Sequence, residues 1–414
     1  MRDEDIEDIW DVAIIGAGPA GSATATHLAR NGHRVVLVDR GRFPRDKPCA
    51  EYLSPAAEPL LVELGVTDLV SSAQTSRLRG FRIFAPSGVV FQGDFAATRD
   101  AAGCSVYESG LAIPRLRLDA ALLAGARHVG VDVREGWRLA QLYRQPNARH
   151  WILRSAEGGE SISARLLIAA DGLHSTVARR LGLHTPGRMR KIALVAHVRG
   201  IAGLSDYGEM HIADRRYVGL APLESRIVGD LCNVAMVVDE RRDGQHLSGR
   251  AQQYLLKTLA TFPRLRGRLD HLEVVRPTLA TSRLSVRARH VSGDNLLLVG
   301  DATGYYDPFT GEGIYRALRS AQLAARVADA ALNTGDLSAH ILAHYDRLLR
   351  DEFRGKRTIE SIIQLAVRVP ALTDHIARVL SQHKSMADTI VAVTGDFLPP
   401  SAVLRPGYLI RLVL

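Results

Sequence analysis

The turn Gly16-Ala17-Gly18-Pro19-Ala20-Gly21 constrains this chain more than any other stretch of it. It lies between an apolar run at 11–15 (DVAII) and a helical segment at 19–31 that stops on Asn31-Gly32. A second apolar run, 34–38 (RVVLV), follows and ends on Asp39. The order is β–α–β. Gly16 permits the tight turn, Gly18 leaves no Cβ between the backbone and a pyrophosphate, and Gly21 lets helix and strand pack closely. The helix N-terminus offers free N–H groups and partial positive charge to phosphates. Asp39 stands 18 residues after Gly21, where a carboxylate can accept ribose hydroxyls. A lone GxGxxG is weak, but here strand, helix, second strand and acidic end are in register. The segment predicts a dinucleotide site built from Gly16, Gly18, Ala20, Gly21, Asp39 and the adjoining Arg40. It does not separate NAD from FAD.

Two later corners point to FAD. Asp171-Gly172 closes an apolar strand at 164–170, with Ser175 and Arg179 on the helix that follows. Gly300-Asp301 closes another at 295–299, and 305–313 (YYDPFTGEG) leads into a helix at 312–333. A carboxylate at such a strand end can bond the hydroxyls of a ribityl chain. A helix starting near Gly311 would aim its dipole at an isoalloxazine ring and favour the anionic reduced flavin.

Composition bounds the partners. The 414 residues carry 53 Lys and Arg against 44 Asp and Glu, a net charge of +9. The excess is nearly all arginine, spread along the chain without a basic block. That suits an anionic cofactor or an acidic membrane face better than a DNA groove, so no nucleic-acid partner is expected. A GC-rich genome would give the same arginine bias. Cys49, Cys104 and Cys232 are widely spaced, which argues against a disulfide framework and a structural metal site. The acidic N-terminus and the lack of an apolar stretch of about 20 residues make the cytoplasm the default location.

Ser54-Pro55 should open a helix to about 64. Strands are expected at 78–84 and 89–95, joined by Pro86-Ser87-Gly88, then across 130–155 and at 192–198, 208–213 and 226–238. Helices are expected at 116–126, 337–350 and 353–394, with a break near Pro370, before an apolar, basic tail at 397–414. The fold class is therefore α/β. A Rossmann-like FAD-binding domain is assembled from 1–75, 105–185 and 280–335. A β-sheet substrate domain from 76–104 and 190–275 is interleaved with it, and 336–414 forms a C-terminal helical region.

These motifs resemble the flavoprotein monooxygenase superfamily with the p-hydroxybenzoate hydroxylase-type FAD fold, over roughly residues 10–335. Within it the chain is most similar to the geranylgeranyl reductase and flavin-dependent halogenase branch. The segment 43–49 (FPRDKPC) looks like that branch's PRxKxC stretch beside the flavin. Gly304 stands where typical aromatic hydroxylases carry a histidine. The resemblance implies that Arg115 contacts FAD phosphate, Val133 touches adenine through its backbone, and Asp301 holds the ribityl chain. Gly311, Gly313 and Ile314 would approach the ring, and Cys49 and Asp171 would lie against the cofactor.

The chain also departs from this branch. Trp10, Trp137 and Trp151 cannot form the halogenase WxWxIP motif, and no lysine lies between Lys47 and Lys191, so halogenation is not expected. The prenyl reductase motif YxWxFP survives only as Tyr217 and Pro222, with Gly219 and Ala221 replacing both aromatics. With Pro308, Tyr217 and Pro222 are expected at a widened substrate pocket. Cys49 and Asp307 are the catalytic candidates. Cys49 also reads as a small buried residue, and Asp307 as a cap of the turn at Pro308. The expected activity is monooxygenation of a hydrophobic aromatic, polyketide or terpenoid molecule through a C4a-hydroperoxyflavin, with NAD(P)H or a partner reductase as electron donor. The alternatives are reduction of isoprenoid or lipid double bonds, with the tail touching a membrane, and a non-catalytic lipid escort.

Overall fold

A computed structural model describes residues 9–413 except 73, 96, 100–104, 108, 145–149, 157, 188, 225–228 and 397. Cys104, the acidic N-terminus and part of the expected strand 226–238 lie outside the described residues.

The first three elements form as the glycine turn requires: β1 (Trp10–Ile15), α1 (Pro19–Arg30) and β2 (Val35–Asp39). β1 lies between β2 and the strand Ser161–Ala169, parallel to both. The strands Asp132–Glu135 and Leu296–Leu298 extend this parallel sheet on either side. Their near-continuous Val, Ile and Leu content fits strands covered on both faces. One face packs on α1 and the helices Arg115–His128 and Gly313–Thr334, burying Val12, Ile14, Leu37, Ile168 and Val299. All three glycine or acidic corners lie at the carboxyl ends of these strands, where ligands of open α/β sheets bind.

A second sheet has seven strands, in the order Glu273–Ser282, Lys191–Arg199, Cys232–Asp239, Arg216–Pro222, Gly208–Ala213, Gly80–Phe84, Val90–Asp94. Its outer face buries Leu194, Val218, Val234 and Met236 against the helix Ala251–Leu259. By the two-residue period of strands, Ala193, His197, Tyr217, Gly219, Asn233 and Ala235 point the other way.

Two expectations shift, and the tail keeps to the expected helical region. The segment after Ser54-Pro55 starts as a turn, and the regular helix is Ala57–Glu63, with Ser54 Oγ buried and lacking a hydrogen-bond partner. The strand Glu273–Ser282 belongs to the second sheet and runs past the expected boundary at 275. Pro277 obscures it in the sequence. The strand lies at the sheet edge, and its register slips between the pairs His197–Arg276 and Val195–Leu279, the two places where proline is tolerated. The tail folds as short helices, Ser401–Leu404 and Pro406–Val413. The latter packs on Pro370–Gln382, and Tyr408 donates to the Met386 carbonyl at 2.8 Å. Among the described residues no helix is long and apolar enough to cross a membrane.

Candidate functional site

The three corners converge. A Cβ on Gly16, which has φ +102°, would stand 2.5 Å from the Ala170 carbonyl oxygen. One on Gly300, which has φ +58°, would stand 2.8 Å from the Ala20 Cβ. The first corner therefore touches both others through positions where a side chain has no room.

Cations surround the turn. A Cβ on Gly18 would lie 4.0 Å from the Nη2 atoms of both Arg45 and Arg115. Arg115 is aimed by the fully buried Asp119, whose carboxylate accepts from Nε and Nη2 at 2.7 Å each. Arg45 reaches Asp39 at 3.4 Å and Asp119 at 3.9 Å, while its buried Nε has no partner. Lys47 Nζ lies 3.3 Å from the Cβ position of Gly172. Burial, then the Arg115 charge, pushes the proton affinity of Lys47 down, and Asp301 and Asp119 act against them. Arg45 and Arg115 facing Gly18, with Lys47 at the adjoining Gly172 corner, form a cradle for a diphosphate. Sequence reasoning singled out Arg115; Arg45 and Lys47 were visible only as letters of the PRxKxC segment.

The other predicted residues divide. Asp39 pins the turn: Oδ2 accepts from the Ala17 amide at 2.8 Å and Oδ1 from the Gly41 amide at 2.7 Å. Arg40 is exposed. Val133 lies in the strand beside β2, opposite Leu37. Asp301 opens a tight turn at Gly300–Thr303, near Lys47 and Arg316. Asp171 caps the helix Thr176–Arg180 with Oδ2, at 2.6 Å from the Thr176 amide. Only its buried, unpartnered Oδ1 is left for a ribityl hydroxyl. Gly311, with φ +71°, lies against the Tyr52 ring, where a Cβ would come within 2.5 Å of ring carbon. Gly313 and Ile314 start the helix Gly313–Thr334, and Ile314 is buried in the core.

The Cys49 Sγ accepts from the Glu51 amide at 3.3 Å. Burial pushes its thiol pKa up, with Arg115 opposing, so the thiol keeps its proton and is a poor nucleophile. Asp307 is a tether. Oδ1 accepts from Tyr217 (2.6 Å), Gln364 (2.7 Å) and the Phe309 amide (3.0 Å), and Oδ2 from Lys191 (2.8 Å). The turn cap is present, and three further bonds join the 305–313 loop to the second sheet and the C-terminal helices. Pro308 is half-buried beside it. Pro222 is buried and, by strand alternation, points away from Tyr217's face.

Opposite this tether lies a cluster the sequence did not announce. Glu51 is fully buried and holds φ +58°, a region rarely used by a residue with a Cβ. Its carboxylate accepts from His197 (2.6 Å), Asn233 (2.8 Å) and the Arg115 amide (2.9 Å), and Arg276 lies at 3.5 Å. The Nε and Nη2 of Arg276 are buried and unpartnered. The left-handed backbone at a glutamate two residues past Cys49 is not readable from composition.

The FAD binding domain family matches residues 10–351. The chain belongs to this family of FAD-dependent oxidoreductases. It is 29% identical over 418 residues to conditioned medium factor receptor 1 of Dictyostelium discoideum, covering 97% of this chain and 80% of that one. It is 30% identical over 350 residues to digeranylgeranylglycerophospholipid reductase 1 of Methanothermobacter thermautotrophicus, covering 83% and 82%. The fold is similar to that of the flavin-dependent halogenase CmlS, with a TM-score of 0.77 at 21% identity, covering 98% of this chain and 78% of that one. In this flavoprotein the Gly18 cradle, Arg45, Lys47 and Arg115 would hold the FAD diphosphate, and Asp301 would face the ribityl chain. Bound FAD supplies two-electron and oxygen chemistry that no side chain can.

Proposed function

We propose that the protein is an FAD-dependent monooxygenase acting on a hydrophobic aromatic, polyketide or terpenoid small molecule. One observation carries this reading. Gly219 and Ala235 face each other on neighbouring central strands and are only half-buried, so the sheet surface above them is open. With Ala221 they leave a shallow apolar floor where aromatic rings would fit a slender chain. The polar clusters at Asp307 and Glu51 lie at its two ends. A broad, flat substrate fits such a floor. The chain's part is to orient the substrate against the cofactor site, keep water out, and position groups without a nucleophile of its own. Tyr217, held by Asp307, is a proton-bearing group at one end: burial, then Asp307, raises its pKa well above the ordinary phenol value. NAD(P)H or a partner reductase supplies electrons in this reading.

The second reading is reduction of a carbon–carbon double bond in an isoprenoid or lipid. Similarity to a digeranylgeranylglycerophospholipid reductase favours it. Turnover of candidate substrates with NADPH under labelled dioxygen distinguishes the two. The monooxygenase reading expects label in the product and no anaerobic turnover. A saturated product formed without oxygen would replace it with the reductase.

A further inference from the structure

A cavity of about 610 Å³ lies behind the flavin-binding corner. None of its lining residues belongs to the glycine turn, the 43–51 segment or the second sheet's floor. Its walls come from residues 288–291, Thr303 at the end of the Asp301 corner, the start of the helix Gly313–Thr334, and the junction of the helices Ala339–Glu352 and Lys356–Arg368.

The walls carry an unbalanced charge. Arg289, Arg316, Arg350, Arg354 and Arg357 line it, with His290. Arg316 is paired with Glu312 at 3.1 Å and lies over the Phe353 ring at 4.7 Å. Arg289, Arg350, Arg354 and Arg357 have no carboxylate at ion-pairing distance among the described residues. Asp346 and Asp351 also line the cavity, and together they offset only part of this charge. Burial, then the neighbouring Arg316 and Arg287 guanidinia, pushes the proton affinity of Arg357 down. Arg289, Arg350, Arg354 and Arg357 remain solvent-exposed, and guanidinia gathered on one concavity with too few counter-charges attract an anion.

Size and floor narrow the anion. The volume falls in the range of small-molecule sites and far exceeds one phosphate group. Val291, Leu349 and Phe353 give it an apolar side beside the arginines. We propose that this cavity binds a nucleotide diphosphate, free or as half of a larger dinucleotide, with its phosphates on Arg350, Arg354 and Arg357 and its nucleoside against the apolar side. The site is distinct from the diphosphate cradle at Gly18, though Thr303 joins it to the Asp301 corner, and it does not depend on which reaction the enzyme runs.

The test is calorimetric titration of the FAD-saturated protein with ADP, NADP⁺ and inorganic pyrophosphate, while the visible flavin spectrum is followed. Saturable binding of ADP or NADP⁺, weaker in higher salt, is expected. Arg354→Ser/Arg357→Ser should weaken it at least about tenfold with flavin content unchanged, as loss of charge-assisted phosphate bonds does. Arg289→Ser, on a separate wall, should weaken it as well. Tighter NADP⁺ than ADP would identify the dinucleotide as the occupant; equal affinity would confine recognition to the ADP moiety. Absence of binding by both nucleotides, equal binding by the variants, displacement of flavin, or pyrophosphate binding as tightly as ADP would each overturn the proposal.

Discussion

The cradle around Gly18 and the floor of the second sheet are both built on buried carboxylates, yet they are assembled over different distances along the chain. At the cradle, Asp119 binds Arg115 four residues away, and Asp39 binds the Ala17 amide 22 residues away. At the floor, Glu51 takes donors 146 and 182 residues distant, and Asp307 takes its side-chain donors from 116, 90 and 57 residues away. The carboxylates that aim the cradle's groups thus stand nearer to them in the sequence, although the cradle itself joins distant segments. The clusters at the floor are held by how two sheets and a helical region dock.

The largest effect should come from breaking the local side. A Cβ on Gly21 would sit 1.8 Å from the Gly16 carbonyl oxygen, with no flexible atom to give way. Gly21→Ala should cost about 3 kcal/mol or more at the turn. Visible absorbance of the purified variant should show FAD retention at least about a hundredfold weaker. Arg115→Met comes next. It leaves the buried Asp119 with only the longer approach of Arg45 at 3.9 Å, which should lower stability by about 2–3 kcal/mol in denaturant unfolding. The double variant Arg115→Met/Asp119→Leu should recover most of that stability while FAD uptake stays impaired. Recovery of both would mean that the pair serves packing alone.

On the distant side, Asp307→Asn should weaken the bonds to Lys191 and Tyr217 at a cost of about 1–3 kcal/mol. Activity should fall while flavin content holds; loss of flavin in this variant would erase the contrast drawn above. The smallest effect concerns pH. Burial, then Glu312, raises the Glu360 carboxyl from 4.5 to about 8. The folded protein holds this proton more tightly than the unfolded chain does. The resulting stability is full below pH 4.5 and is lost as pH rises through about 8. Melting temperature should fall across that window, and Glu360→Gln should flatten the slope.

This contrast also explains what could be read in advance. The glycine turn, Asp39, Arg115 and the strand ends at Asp171 and Asp301 follow from short-range patterns, and the structure brings them to one place. The alternation of Tyr217, Gly219 and Ala221 was likewise legible as a strip of missing aromatics. Glu51, His197, Asn233 and Arg276 were not, because each is an ordinary letter until strand register sets it beside the others. Arg276 is the plainest case: Pro277 disguises its strand, and the register slip next to it accompanies the turn of the guanidinium toward Asp46 and Glu51. Asp307 was legible as a turn cap and illegible as a tether for the same reason.

Gln364 gives that tether a practical meaning. It closes the ring of bonds on Asp307 from a helix that sequence comparison of the cofactor domain would leave outside, since the family match ends at 351. Shortening the chain to its recognisable core would therefore strip a donor from the buried Asp307 carboxylate, so engineering of this enzyme should add tags or fusion partners beyond the last helix and leave everything before it intact.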